Sequence, residues 1–309
     1  MIKVHDIAYV RFSAPNLDEM ERFLTDFGLA VTAREDETLY CRGTDGAPYI
    51  HVTEQGPAGF LSFGFEVVHE ADLEAAARLE GASAIEEIQA PGGGRRVNFQ
   101  DPDGNGVEIV HGRKPLPDLP VSAASAQGDA KPVNLGSERR RLGTLRRVER
   151  GIASVKRLGH AVVRVADFAR SRDWYQSKFG FLSSDDVYLG DESNIVTSFM
   201  RCDRGDDYTD HHTLLCVGIG EPGFDHAAFE VEDVDAVMVG HDHLTTAGYD
   251  HHAGIGRHIL GSQIFDYWKD PWGHVVEHFT DGDLLNASHP TGSSDPVAAL
   301  GTQWGVFVA

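Results

Sequence analysis

Two stretches of the chain repeat one another, and this repeat constrains the fold more than any other feature. Near the start, IAYVRF (7–12) leads into LDEMERFLTDFGL (17–29); in the second half, GHAVVRV (159–165) leads into FARSRDWYQSKFGF (168–181). Each pair reads as an alternating strand followed by an amphipathic helix that stops at a glycine after phenylalanine, Gly28 in one and Gly180 in the other. Downstream, FLSFGFEV (60–67) parallels FDHAAFEV (224–231), and DPDGNGVE (101–108) parallels DPWGHVVE (270–277), an Asp-Pro turn feeding a last strand in both. Inside each half the order strand, helix, three short strands occurs twice, over 1–53, 58–112, 157–219 and 223–281. Helices are expected only around 17–27, 71–81, 168–179 and 233–247. Strands therefore dominate, and an α+β fold follows in which curved, mostly antiparallel sheets carry helices on one face.

The boundaries come from composition. Residues 1–114 form the first domain and 156–283 the second, with a linker at 115–155 and a tail at 284–309 expected to wrap over the second domain. The linker opens with Pro115, Pro117 and Pro120, passes through SAASAQGD (122–129) and ends in the basic run ERRRLGTLRRVERG (138–151). The whole chain nevertheless carries 48 acidic against 27 basic residues, a formal charge of −21, which disfavours nucleic acid or an anionic membrane as its partner. Cys41, Cys202 and Cys216 show no C-x-x-C spacing, so neither a disulfide framework nor a thiolate zinc site is supported and a reducing cytoplasm is expected. No 18-residue apolar run predicts a membrane span, and the N-terminus does not read as a signal peptide.

Differences between the halves point to chemistry. Superposed on their own motifs, the halves set His160 opposite Ile7, His226 opposite Ser62 and Glu277 opposite Glu108, so a ligand set is complete only in the second. Two neutral imidazoles and one carboxylate form the set that holds ferrous iron on one face and leaves the other coordination positions open. Strand alternation supports convergence: His160 shares a face with Val162 and Arg164, and Glu277 with Val275 and Phe279, while His274 and His278 turn the other way. A single strand histidine is more often a hydrogen-bonded core residue; the joint pattern favours a metal. His51, His69 and His111 belong to the half without the set. Trp174, Tyr175 and Phe179 read as core, APGGGRR (90–96) as a hairpin turn, and His251-His252 as a loop near the cavity mouth.

With these residues in place, the chain resembles a type I extradiol (catechol meta-cleavage) dioxygenase of the vicinal oxygen chelate superfamily over nearly its whole length. GRHILGSQIFDYWKDPWGHVVEHFTDGD (256–283) matches the signature region of that family, and LGH (158–160) and FDHAAFEV supply the two histidines. The resemblance implies two glyoxalase-like domains, four βαβββ modules in all, whose curved mixed sheets surround a metal cavity in the C-terminal domain only. It implies His160, His226 and Glu277 as ligands of Fe(II), with Mn(II) in a minority of such proteins, and His258 and Tyr267 as second-sphere donors. One of His211 and His212 would be the acid–base residue. The implied partners are a catecholic aromatic and O2, the product a ring-opened semialdehyde, and the assembly a homo-oligomer.

Module symmetry bears on the acid–base residue. His226 and Glu277 are 51 residues apart, as are His160 and His211, which makes His211 the pseudo-symmetric counterpart of the carboxylate and the preferred choice over His212. An imidazole suits proton transfer because it titrates near neutral pH. Two other functions fit the same fold. A glyoxalase-like isomerase or epimerase would use a fourth protein ligand where this chain has His211, and a non-catalytic ligand-sequestering protein would have no use for open coordination positions.

Overall fold

The computed structural model describes residues 1–35, 37–121 and 133–306; the segment SAASAQGD (122–129) lies outside them. The first module comprises strand Asp6–Ala14, helix Leu17–Asp26 and strands Ala30–Glu35, Thr38–Arg42 and His51–Gln55. The second comprises strand Gly59–Glu66, helix Glu70–Ala76 and strands Glu86–Glu87, Arg95–Gln100 and Gly106–His111. Their strands form one eight-stranded mixed sheet, in which Asp6–Ala14 pairs antiparallel with Gly59–Glu66 and each of these pairs parallel with the last strand of its own module. Asn16 caps the first helix by accepting from the backbone N–H of Asp18 and Glu19. The second helix is shorter than its pattern suggests, ending at Ala76, with turns carrying the chain on to Gly81.

The second half repeats this plan. Strand Val155–Arg164, helix Phe168–Phe179 and strands Leu182–Tyr188, Ile195–Arg201 and Leu214–Val217 form the third module. Strand Gly223–Val231, helix Val234–Ala247 and strands His251–His258, Ile264–Lys269 and Val275–Thr280 form the fourth. Both helices begin at a capping aspartate, Asp167 or Asp233, and end at a glycine in the left-handed conformation, Gly180 or Gly248, which satisfies their terminal backbone groups. The tail adds edge strands Gly292–Ser294 and Thr302–Gly305, making this a ten-stranded sheet.

One apolar core joins the halves: Phe23, Phe27 and Phe63 pack in the same cluster as Phe179, Phe229 and Trp268. Buried polar contacts cross the junction, with Tyr175 Oη donating to Asp101 at 2.8 Å and His278 Nε2 donating to the Phe27 carbonyl at 2.7 Å. His278 thus faces the helix side of the sheet, away from Glu277. The basic segment packs on acidic surface, Arg146 reaching both Asp233 and Asp235 at the start of a helix. Among the described residues no helix is long and apolar enough to cross a membrane.

Candidate metal centre

Three adjacent strands bring the ligand set together. Gly223–Val231 lies between Val155–Arg164 and Val275–Thr280, and Ala228 on this central strand is the register partner of His160 on one side and Glu277 on the other. His226, two residues away on the same face, completes a triangle. Neighbouring strands lie about 4.8 Å apart, so His160 and Glu277 start roughly 10 Å apart at Cα, and the concave sheet closes that gap. The Nε2 atoms of His160 and His226 each lie 3.4 Å from Oε2 of Glu277, and the three ligand atoms fall within 4.8 Å of one another. Gly159 permits the approach, since a Cβ there would come within 2.3 Å of the Phe279 ring.

The side chains left without partners fit a cation. Glu277 is fully buried, and among the described residues neither of its oxygens has a hydrogen-bond partner; Nδ1 of His160 is likewise unpartnered there. A buried ionised carboxylate in that state costs several kcal/mol. Its counterpart Glu108 is saturated, accepting from Tyr9 Oη at 2.8 Å, Ser62 Oγ at 2.6 Å and Arg96 at 2.9 Å, with Arg11 at 3.5 Å. The first half fills with protein donors the place that the second leaves open. This comparison also corrects the alignment of the halves. Tyr9 pairs with Gly64, which pairs with Glu108, just as His160 pairs with Ala228 and Ala228 with Glu277; His160 therefore corresponds to Tyr9, not Ile7.

The histidine pair is resolved by geometry. His212, not His211, stands beside the triad, its ring centroid 4.1 Å from that of His160. His211 turns outward, Nε2 bonding Asp185 at 2.7 Å and Nδ1 meeting Nδ1 of His212 at 3.1 Å. Equal spacing of the modules predicts His211 at this place. Pairing begins only at Leu214, opposite Ala161, and the irregular backbone before it turns His212 inward. The first half shows the same irregularity, where Tyr49 precedes strand His51–Gln55 and lies 5.1 Å from Tyr9.

His258 and Tyr267 close the other side. They share a hydrogen bond of 2.9 Å; the Tyr267 ring lies 5.1 Å from that of His226, and Tyr267 is the register partner of Glu277. His258 stacks on Phe265. Apolar residues Val162, Val187, Phe199 and Leu215 line the same sheet face, and Leu260 and Ala299 from the connecting loop and tail pack on them. A cavity of about 540 Å³ adjoins His226 through Asp225, with Arg164, His252 and His274 in its wall. His251 instead turns to Asp266.

Electrostatics follow burial and neighbours. Burial pushes His160 down, and it holds His212 well below the ordinary imidazole value, helped by the imidazoles of His160, His211, His226 and His258. Burial likewise takes His258 down to about 4. In His226 burial is outweighed by Asp225, which accepts from Nδ1 at 2.8 Å, so this imidazole is raised. Burial alone would raise Glu277, but His160, His226 and His258 hold its carboxyl below the usual range. Tyr267 is raised by burial and by the Glu277 carboxylate.

The family model of the Glyoxalase/Bleomycin resistance protein/Dioxygenase superfamily matches residues 6–109 and 157–278. The chain belongs to this superfamily. Within the superfamily it is 32% identical over 305 residues to metapyrocatechase 2 of Cupriavidus necator, covering 98% of this chain and 89% of that protein. Solved structures share the superfamily fold, two of them as follows. The Mn(II)-bound glyoxalase of Novosphingobium aromaticivorans superposes with a TM-score of 0.79 at 20% identity, covering 100% of this chain and 93% of its own. The homoprotocatechuate 2,3-dioxygenase of Arthrobacter globiformis superposes with a TM-score of 0.76 at 21% identity, covering 95% and 85%. A shared fold hosts both chemistries, so the choice between them rests on the side chains of the site.

Proposed function

We propose that the protein is an extradiol ring-cleaving dioxygenase acting on catecholic aromatics, with Fe(II) held by His160, His226 and Glu277. The observation that carries this is the buried, unpartnered Glu277 facing two imidazoles at 3.4 Å, set against a saturated Glu108 at the equivalent place. The kinship with metapyrocatechase 2 supports the substrate class. When bound, the metal would supply a Lewis acid for the catechol oxygens and O2.

The remaining residues have definite tasks. Asp185 can only accept, so His211 donates to it from Nε2; in the neutral pair His211 then accepts at Nδ1, and His212 donates from its own Nδ1. That tautomer leaves the Nε2 lone pair of His212 free to take a proton from substrate and return it later. His211 is thus a positioning residue, and His212 carries the proton. His258 and Tyr267 are placed to hydrogen-bond a developing negative charge on oxygen. Val162, Phe199 and Leu215 offer an apolar wall to the ring and exclude water. The glyoxalase-like alternative needs a fourth protein ligand, and His212 stands outside the group of three whose ligand atoms lie within 4.8 Å. The buried free thiols Cys41, Cys202 and Cys216 suit the reducing cytoplasm in which we place the enzyme.

Anaerobic reconstitution with Fe(II), followed by a panel of substituted catechols, tests the proposal. Oxygen uptake matched by yellow ring-opened product is expected. Metal-loaded protein that binds no catechol and consumes no oxygen across the panel would overturn it.

A further inference from the structure

On the opposite face of the strand that carries Tyr267, a second group of ligand-type side chains converges. Asp266 on strand Ile264–Lys269 is fully buried; His241 comes from helix Val234–Ala247 and His251 from strand His251–His258. Nδ1 of His241 lies 3.1 Å from Asp266 Oδ2, and Nε2 of His251 lies 2.8 Å from Oδ1. All three ligand atoms fall within 4.8 Å of one another. We propose that His241, His251 and Asp266 bind a second divalent ion of the zinc class, separate from the catalytic metal.

Three observations carry this. At Zn–N and Zn–O lengths of roughly 2.0–2.2 Å, a tetrahedral ion separates its ligand atoms by about 3.3 Å, so the two imidazole nitrogens need to move away from the carboxylate by only about half an ångström or less. The side chains of His241 and His251 are 27% and 32% exposed, which leaves room for water as the fourth ligand and gives the ion an entry path. Trp268 donates from its indole N–H to Asp266 Oδ2 at 2.6 Å; an indole cannot itself ligate, and it orients the carboxylate as outer partners of metal ligands do. Asp242 adds negative potential beside His241. Without an ion, the arrangement directs two imidazole nitrogens at one buried carboxylate.

The site ties a helix to two strands. Asp266 is the register partner of Gly254 on one side and His278 on the other, and the next residue is Tyr267. An ion there would staple the sheet segment that holds His258 and Tyr267 from behind.

Equilibrium dialysis of metal-stripped full-length protein against Co(II), a spectroscopic stand-in for zinc, tests the proposal. Two equivalents per chain are expected for the parent. His241→Ala and His251→Ala should each retain one, His226→Ala should retain the other, and His241→Ala combined with His226→Ala should bind none. Trp268→Phe should weaken the second equivalent by roughly 10- to 100-fold. His252→Ala, a neighbouring histidine outside the group, should keep both. In the His226→Ala background, Zn(II) should raise the melting temperature, and adding His241→Ala should remove that rise. Equal stoichiometry in the parent and in His241→Ala, or a single equivalent in the parent, overturns the proposal.

Discussion

Replacing His212 and His211 separately by asparagine should give losses of very different size. His212→Asn removes the proposed proton carrier, whose ring lies 4.1 Å from that of His160, and a positioned proton-transfer residue is worth roughly 10²- to 10⁴-fold. His211→Asn leaves that group in place and removes the 3.1 Å bond that holds its tautomer, which Asp185 sets through a 2.7 Å bond. One buried neutral hydrogen bond contributes about 0.5–1.5 kcal/mol, and 1.36 kcal/mol is tenfold in rate, so a loss near tenfold is expected. Asp185→Asn, whose amide can donate where the carboxylate accepted, should act in the same direction. The assay is steady-state formation of ring-opened product at saturating oxygen, with iron content measured on each preparation. Both histidine variants should keep their iron. If His211→Asn costs as much as His212→Asn or more with iron retained, the proton carrier is His211 and the tautomer argument fails.

Other predictions follow from contrasts in the structure. His226→Ala should abolish catalytic metal binding, whereas Glu108→Gln should leave metal content unchanged and destabilise the fold by about 2 kcal/mol, because Arg11 and Arg96 lose a buried partner but remain partly solvated; metal analysis and denaturant melts read the two effects. Tyr267→Phe and His258→Phe should retain iron and slow turnover by roughly 10- to 100-fold, the scale of one oxyanion-type hydrogen bond; unchanged rates in both would remove them from the reaction. His51 is fully enclosed, and burial takes it down to about 3 from an ordinary 6.5. The unfolded chain therefore binds the proton more tightly, and the stability held by neutral His51 is present above pH 6.5 and lost as pH falls toward 3. Acid denaturation midpoints should move lower by a measurable step in His51→Gln, and an unchanged midpoint would refute the assignment.

Much of this was legible in the chain itself. The repeat of strand, helix and three strands could be read because side-chain periodicity is a local property, and stop signals such as Gly28 or Gly180 act within one turn. The ligand set was legible for a different reason: His160 and His226 break a pattern that the other half keeps, and a buried polar exception is informative in a strand otherwise reading as core. The group formed by His241, His251 and Asp266 left no such trace. Its members come from a helix and two strands with no shared spacing, and His251-His252, which the sequence suggests as a loop, open strand His251–His258 instead, where pairing with Trp268 sets their direction.

The sequence by itself determined the modules, the half in which two histidines and a glutamate form a complete set, and the residue types of that set. Which of two adjacent histidines stands beside the candidate triad was decided by tertiary structure, because alternation holds only where a strand is paired and the pairing stops at Leu214. Tertiary structure also decided that Tyr9 replaces His160 in the first half. Register between strands is set by interstrand hydrogen bonds and bulges, which fall at matching places in the two halves, between Ile7 and Tyr9 and between Leu158 and His160, and a two-residue offset is invisible to a comparison of motifs on one strand. Saturation of Glu108 by Tyr9, Ser62, Arg11 and Arg96 follows from that register, as does the lack of hydrogen-bond partners at the Glu277 oxygens among the described residues. A buried charge is stabilised by what surrounds it in three dimensions, and those surroundings come from segments far apart in the chain.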